Sequence, residues 1–326
     1  MVHKTQEKDW RPAAHPAMLR LRARVLARIR AFFAERGVLE VETPLLASTT
    51  MTEPHLASIE VAPRPAIQGK ERLFLQTSPE SFMKRLLAAG SGPIFQICKA
   101  FRAEEMGRYH NPEFTILEWY RPGFDSEALM DEINSLMNSI LGTDPGVRMS
   151  YVDAFRHYAN LDPFRIPLSA LRGYARILGV SPGDAASLDR GTCLDLVLSR
   201  VVQPALGPGP VFIFGFPATQ ASMARLVAGE PGLAERFELF VDGIELANGY
   251  RELNDSWEQR SRFLADMKVR EERRLPSVPI DERLLRALAH GLPDCTGVAV
   301  GIDRLVMLVA EAANLESVMG FPFERV

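Results

Sequence analysis

Long hydrophobic runs are missing from this sequence of 326 residues. Its apolar stretches are interrupted by Arg, Gly or Pro well short of the ~20 residues that a transmembrane helix needs. The first residues, MVHKTQEKDWRPAAHP, also lack the apolar core of a signal peptide. We therefore expect a cytoplasmic protein without a membrane anchor.

Cysteine is scarce as well. Cys98, Cys193 and Cys295 are odd in number and widely separated in the chain. They match neither a disulfide framework nor the spacing of metal ligands. A reducing compartment fits this usage best.

An excess of basic charge is also absent, since the formal net charge is -3. A protein that grips a large nucleic acid usually carries a basic stripe, so we expect no stable tRNA binding. The most basic stretch, LRLRARVLARIR, fits a solvated helix face, and it also fits a docking surface for an acidic macromolecule.

The order of helical and extended patterns predicts an α+β fold with an antiparallel β-sheet flanked by helices. Asp242-Gly243 lies between two strand-like runs and is a strong hairpin signal. Gly37 is a plausible C-cap for the first helix. The expected helices span 18–36, 126–141, 255–273 and 281–290, and the expected strands span 38–46, 94–102, 114–121 and 211–216.

The sequence pattern changes between about 143 and 210, and this stretch separates the earlier predicted strands from the later ones. GTDPG opens the stretch, GPGP closes it, and short helical pieces lie between them. We interpret it as a helical insertion on the main sheet, so that residues 1–326 form a single domain.

Familiar nucleotide-binding motifs are missing too: there is no GxxxxGK[ST], and no GxGxxG follows a strand. The segment FRAE, a polar loop and HNPEF offer another route. Arg102 on a rigid strand could clamp a phosphate, Glu104 could accept a hydrogen bond from an adenine amino group, and Phe114 could stack on the base. Taken alone, the RxE pair of Arg102 and Glu104 is common, and a surface ion pair is the more frequent explanation for it.

Two further segments carry suitable chemistry. Glu245 and Glu252 flank Asn248 in GIELANGYREL, and carboxylates that converge could hold Mg²⁺. An acidic hairpin surface is the alternative. In GIDR, Gly301 permits a close backbone approach, and Arg304 at a helix start could stack on adenine or neutralise a phosphate.

Taken together and in this order, the segments resemble the three signature motifs of class II aminoacyl-tRNA synthetases. Motif 1 is the long helix with the strand ending at Pro44, motif 2 is FRAE with HNPEF, and motif 3 is GVAVGIDRL. TSPESFMKRLL and ELANGYRELND narrow the resemblance to the lysyl-tRNA synthetase branch. The resemblance covers nearly the whole chain and implies the class II catalytic fold, activation of an amino acid by ATP, and a homodimer built on motif 1.

The resemblance also assigns roles to individual residues. Arg102 and Arg304 would be catalytic, through charge neutralisation of the phosphates, and Glu245 and Glu252 would carry Mg²⁺. The ATP site would comprise Arg102, Glu104, Asn111, Phe114, Glu245, Leu246, Gly301 and Arg304. The pocket for a lysine-type substrate would comprise Ser78, Pro79, Glu80, Glu118, Tyr120, Glu252 and Ala299. Several carboxylates suit such a substrate because a buried ammonium must be paired.

The sequence departs from lysyl-tRNA synthetases in three places. Motif 1 begins within about 20 residues of Met1, so we expect no N-terminal OB-fold domain of the kind that reads the anticodon. Ser78 stands where that family has Ala, and Ala299 stands where it has Gly. Added atoms in a tight pocket change substrate preference by ~1–3 kcal/mol, enough to favour an isomer of lysine.

This combination resembles the family of elongation factor P–(R)-β-lysine ligases. The resemblance implies transfer of (R)-β-lysine from its adenylate to the ε-amine of a lysine on elongation factor P. A minimal lysyl-tRNA synthetase is one alternative. A non-catalytic paralogue is another, and it predicts decay of the motif residues, which are intact. His110 could serve as a base, but we favour a role in fixing the loop.

Overall fold

The computed structural model describes residues 10–326 except 63–64, 66, 68 and 70–71. The strands are β1 (Leu39–Glu40), β2 (Leu46–Ala47), β3 (Glu60–Val61), β4 (Leu73–Leu75), β5 (Ile94–Phe101), β6 (Glu113–Pro122), β7 (Val147–Ser150), β8 (Pro210–Pro217), β9 (Leu226–Val227), β10 (Glu230–Val241), β11 (Ile244–Arg251) and β12 (Cys295–Gly301). The helices are α1 (Pro16–Ala34), α2 (Glu80–Ala88), α3 (Ser126–Leu141), α4 (Tyr151–Ala154), α5 (Leu168–Ile177), α6 (Pro182–Ser187), α7 (Arg190–Val197), α8 (Gln203–Ala205), α9 (Ser256–Glu272), α10 (Glu282–Gly291) and α11 (Ile302–Val309).

One large sheet organises the molecule. Its strands lie in the order β1-β5-β6-β12-β11-β10-β8-β7, and β9 pairs with β10. The central pairs are antiparallel, but β1–β5 and β7–β8 are parallel. The expected α+β class is confirmed, and the sheet is antiparallel in its centre and parallel at both edges. Parallel neighbours need long crossovers, and the chain between β7 and β8 supplies one.

Local sequence signals explain the main elements. Asp242 and Gly243 both adopt positive φ, at 52° and 71°, as the two-residue turn between β10 and β11 requires. Helix α3 begins after Asp125, whose side chain accepts a hydrogen bond from Ala128 N–H, and it ends at Gly142 in the left-handed conformation. The expected hairpin and the expected helix 126–141 are confirmed.

Two expectations need correction. The strand expected over 38–46 is split into β1 and β2, because Pro44 lies between them and lacks the N–H that a ladder needs. The stretch from about 143 to 210 contains helices α4 to α8, yet it opens with β7, which joins the main sheet. No helix within the described residues is long and apolar enough to cross a membrane.

The core lies mainly on one face of the sheet. Helices α1, α3 and α11 cover that face, and Phe33 stacks on Phe95 with ring centroids 4.5 Å apart while contacting Trp119 edge-on at 5.2 Å. Burying each such side chain contributes about 1.5–3 kcal/mol. Because side chains alternate along a strand, Leu117 and Trp119 of β6 enter this core. Glu118, the residue between them, faces the opposite side.

Candidate active site

Two adjoining cavities open on the face of the sheet opposite this core. The acidic cavity is lined by the carboxylates of Glu53, Glu80, Glu118 and Glu252. The arginine cavity is lined by Arg304 and by Arg102, and Arg102 also lines the acidic cavity. Arg102, Ile116, Asn248 and Ala299 line both cavities.

Neighbouring central strands bring the residues of the acidic cavity together. Glu118 of β6 lies opposite Ala299 of β12, which lies opposite Asn248 of β11. Two positions away, Tyr120 of β6 lies opposite Gly297. Because alternate residues of a strand face the same side of the sheet, these five residues on three strands all face the acidic cavity.

Gly297 provides room for this row. A Cβ atom at this position would lie 2.4 Å from the ring of Tyr120 and 2.5 Å from the carboxylate of Glu252. Glycine is therefore required because the two side chains approach the backbone closely.

Lys84 neutralises part of the acidic cavity from within the protein. Its side chain is 0% exposed, and Nζ lies 2.7 Å from Glu80 and 2.6 Å from Glu252. Burial alone would lower the pKa of Lys84, but the two carboxylates outweigh it and raise the pKa. No sequence motif points to a role for Lys84, although its i,i+4 spacing from Glu80 on α2 is a signal of an ion pair.

Two carboxylates of the acidic cavity, those of Glu118 and Glu252, are almost completely shielded from solvent. Burial, together with the charge of Glu80, raises the pKa of Glu118 to about 8, although the hydroxyl of Tyr120 donates a hydrogen bond to it at 2.5 Å. Burial also raises the pKa of Glu252, against the opposing effect of Lys84. A cation entering the cavity would relieve this cost, because an opposite charge favours the ionised carboxylate.

Ser78 and Pro79 lie at the start of α2. Ser78 lines the acidic cavity, and its hydroxyl accepts a hydrogen bond from the N–H of Glu80 at 3.4 Å. Pro79 is buried at the N-cap and lies outside the lining of the cavity. Its role in the structure is to position the first turn of the helix that carries Glu80 and Lys84.

Arg304 is held by three groups in the arginine cavity. It donates to the carbonyl of Glu245 at 2.7 Å and to the carbonyl of Tyr109 at 3.1 Å, and its Nη2 lies 2.8 Å from Nε2 of His110. An arginine can only donate, so this ring nitrogen of His110 accepts. Burial and the charge of Arg304 lower the pKa of His110. A neutral His110 that holds Arg304 fits the loop-fixing interpretation.

Arg102 has unused hydrogen-bonding capacity. Its Nη1 pairs with Glu105 at 2.9 Å, and its guanidinium lies 5.0 Å from the ring centroid of Phe114. Within the described structure, its buried Nε has no hydrogen-bond partner. Buried donors are normally satisfied, so this atom indicates a place for an acceptor such as a phosphate oxygen.

The other residues expected around ATP divide into two groups. Leu246, Gly301 and Phe114 line the arginine cavity as expected. Glu104 does not, because it is exposed in the turn after β5, and Glu105 lines the cavity instead.

Asn111 also lines the arginine cavity, but its amide is engaged elsewhere. It donates to the carbonyl of Glu113 at 2.6 Å and accepts from the N–H of Phe323 at 2.9 Å. Its observed contacts therefore fix the C-terminal segment.

The expected metal pair of Glu245 and Glu252 stays a prediction, and the structure places its two members in different cavities. Glu245 lines only the arginine cavity, and Glu252 lines only the acidic cavity. Seven residues of extended chain separate them, a span of about 23 Å at the rise of a β-strand.

Comparison with known proteins gives the class and then the family. The model of the class II tRNA synthetases (D, K and N) matches residues 4–325, so the chain belongs to the class II tRNA synthetases. Two relatives named elongation factor P–(R)-β-lysine ligase, from Salmonella paratyphi B (strain ATCC BAA-1250 / SPB7) and Salmonella schwarzengrund (strain CVM19633), are each 48% identical over 323 residues. The match covers 98% of this chain and 99% of each relative. Within the class, the chain belongs to the family of these ligases.

Proposed function

We propose that this protein activates (R)-β-lysine with ATP and transfers it to the ε-amine of a lysine on elongation factor P. One observation carries the proposal: a cavity with four carboxylates opens into a cavity with two arginines. The first suits a substrate with two ammonium groups, because each buried ammonium needs a carboxylate. The second suits the phosphates of a nucleotide.

The residues shared by the two cavities define where the reaction takes place. Arg102 lies at the junction, with its buried Nε free to bind an oxygen of the α-phosphate. The substrate carboxylate attacks the α-phosphorus, and pyrophosphate leaves on the side of Arg304. Catalysis comes from positioning the two substrates and from neutralising charge as the bond to pyrophosphate breaks.

The second step uses the adenylate formed in the first. The ε-amine of the acceptor lysine attacks the carbonyl carbon, the bond to phosphate breaks, and AMP leaves with the bonding electrons. The nitrogen loses one proton as the amide forms. No side chain of the protein is needed as a nucleophile, and none of the described residues in the junction of the cavities is a cysteine or a lysine.

Mg²⁺ would be held at the arginine cavity by Glu245, which lines it. Glu238 does not serve as a second ligand, because its Oε1 is paired with Nη2 of Arg236 at 2.5 Å. No group of three or more His, Cys, Asp and Glu side chains suited to a metal exists among the described residues. One carboxylate can be enough for Mg²⁺ because it takes its other ligands from phosphates and water. When bound, the ion would neutralise charge on the departing pyrophosphate.

We also propose a homodimer in which motif 1 forms the interface. Pro44 is exposed between β1 and β2, and Leu39, Leu45 and Leu46 around it are 56%, 39% and 40% exposed. Clustered exposed apolar side chains of this kind mark interaction sites. Sedimentation velocity should give a dimer for the wild type and a monomer for Leu46→Glu, and a monomeric wild type would refute the proposal.

The choice of isomer depends on Ser78 and Ala299. Both line the acidic cavity, and Ala299 lies beside the reaction junction. The Ser78→Ala/Ala299→Gly double variant should use α-lysine better, by about 10-fold or more, the scale expected for a few added atoms in a tight pocket. Unchanged preference in pyrophosphate exchange would show that these positions do not select the isomer.

The test of the proposed function is amino-acid-dependent ATP–pyrophosphate exchange with α-lysine and with (R)-β-lysine, followed by mass spectrometry of elongation factor P. Preference for (R)-β-lysine and a gain of one lysine-sized mass on the factor would support the proposal. Exchange with α-lysine, an unmodified factor and charged tRNA would indicate a minimal lysyl-tRNA synthetase. No exchange with either isomer would indicate a non-catalytic paralogue.

A further inference from the structure

The acidic cavity contains a carboxylate that the sequence motifs do not include, that of Glu53. This residue lies between β2 and β3, and its side chain lines the cavity. Its Oε2 lies 3.5 Å from the hydroxyl of Ser222, which donates to it. In the described part of the chain, Glu53 has no ion-pair partner, unlike Glu80 and Glu252, which share Lys84.

The segment around Glu53 is fixed to the rest of the structure at several points. The hydroxyl of Thr52 donates to Asp266 at 2.7 Å, Arg270 donates to the carbonyl of Glu53 at 3.2 Å, and the N–H of Ala103 donates to the carbonyl of Ala57 at 2.8 Å. These contacts attach the segment to α9 on one side and to the residue after Arg102 on the other. Glu53 is therefore held in place beside the cavity by its backbone.

The ion pairs in the cavity show which carboxylates are open to a substrate. Lys84 pairs with both Glu80 and Glu252. Among the described residues, Glu118 and Glu53 are the carboxylates of this cavity that have no ion-pair partner. Glu118 can pair with one substrate ammonium, and a second ammonium needs its own partner, since an unpaired buried charge is strongly destabilising. Glu53 is the carboxylate of the cavity that is left for it.

The solvent exposure of the carboxylates indicates which ammonium of the substrate each one binds. Glu118 and Glu252 are 3% and 1% exposed, so they form the closed end and suit the ammonium at the end of the substrate chain. The substrate carboxyl has to reach Arg102 at the junction. Glu53 is partly exposed, and its segment runs towards Arg102 through the hydrogen bond to Ala103.

We infer that Glu53 binds the amino group nearer the reacting carboxyl, and that it is a specificity-determining residue for substrates with two amino groups. The inference rests on the proposed function. It predicts that Glu53 recognises one end of the substrate and contributes nothing to binding of the other end.

The test compares Glu53→Gln with the wild type on substrates that differ by one amino group. Kinetics of pyrophosphate exchange are measured with (R)-β-lysine, and 6-aminohexanoate, which lacks the amino group near the carboxyl, is measured as a competitive inhibitor. The variant should lose about 10- to 100-fold in kcat/KM for (R)-β-lysine, the range for a hydrogen bond to a charged group. Its inhibition constant for 6-aminohexanoate and its KM for ATP should stay within twofold.

Controls separate this role from a structural one. Glu271→Gln changes an exposed glutamate of α9 outside both cavities and should match the wild type throughout. Glu53→Asp keeps the charge and should lose less than Glu53→Gln for (R)-β-lysine.

Each contrary outcome has a distinct meaning. Equal weakening of both ligands by Glu53→Gln, or no weakening of either, would overturn the inference. Selective weakening of 6-aminohexanoate would also overturn it, because Glu53 would then bind the other end. A wild-type protein that exchanges with neither isomer would instead refute the proposed function.

Discussion

Removing the internal cation should make the stability of this protein depend strongly on pH. In Lys84→Met, the carboxylates of Glu80 and Glu252 lose the ammonium that lies within 2.7 Å of both. Breaking a buried ion pair by removing one partner costs about 3–5 kcal/mol, because an uncompensated buried charge remains. Methionine is similar in length, so the cost should come from charge and not from a cavity.

The sign of the pH dependence follows from Glu252. Its pKa is about 7 with Lys84 present, raised by burial, and it should rise further when the cation is removed. A carboxyl whose pKa is higher in the folded state costs stability above its unfolded pKa, about 4.3. The penalty of Lys84→Met should therefore be smallest between pH 5 and 6.5 and grow above pH 7, by up to about 1.4 kcal/mol per pH unit for this one carboxyl.

Urea unfolding at pH 5, 6.5 and 8 measures this difference. Lys99→Met is the matched control, because Lys99 pairs with Glu113 at 3.1 Å but is 42% exposed. An exposed pair contributes less than about 1 kcal/mol, so the control should change little at any pH. A penalty for Lys84→Met that is constant across this range, or that falls as the pH rises, would refute the electrostatic reasoning.

Three further predictions concern the two cavities. Gly297→Ala should abolish detectable pyrophosphate exchange and cost about 1–3 kcal/mol of stability, because its Cβ would overlap Tyr120. Gly183→Ala is the control for exchange, because a Cβ at Gly183 would lie in open space. Equal exchange activity of the two variants would contradict the close packing at Gly297. The KM for the diamino acid should fall as the pH rises from 6 to 8 and then level off. The reason is that Glu118, with a pKa of about 8 in the free protein, must ionise to pair with an ammonium. A KM that rises over this pH range would contradict this role of Glu118. Asn111→Ala should lower stability by about 1–3 kcal/mol through two lost hydrogen bonds, and calorimetry showing no change would disprove its role as a tether.

The central hairpins were predictable because their signals are local. The strand expected over 114–121 and the Asp242-Gly243 turn depend on neighbouring residues, and both are confirmed. The parallel edges were not predictable in the same way, because β1 and β7 are two and four residues long and pair with strands far along the chain.

The candidate site shows the same division. The resemblance to the synthetase motifs grouped Glu80, Glu118 and Glu252 in one substrate pocket, and all three line the acidic cavity. It also paired Glu245 with Glu252, and these two carboxylates line different cavities, because seven residues along an extended strand separate side chains. Glu53 carries no motif signal at all, since only long-range contacts bring its segment to the cavity.

The environment of Lys84 also indicates how the acidic cavity can bind an ammonium group of the substrate. The protein already holds one lysine ammonium, fully buried, between two carboxylates of the acidic cavity. The fold therefore provides the desolvated geometry that such an ammonium needs, from groups fixed on α2 and at the end of β11. The carboxylate left for a substrate ammonium at this closed end is Glu118, which Tyr120 orients by its hydrogen bond. Because Lys84 occupies the other two, the cavity should select for charge at the end of the substrate chain through Glu118 first, and the pH dependence of KM should follow this residue.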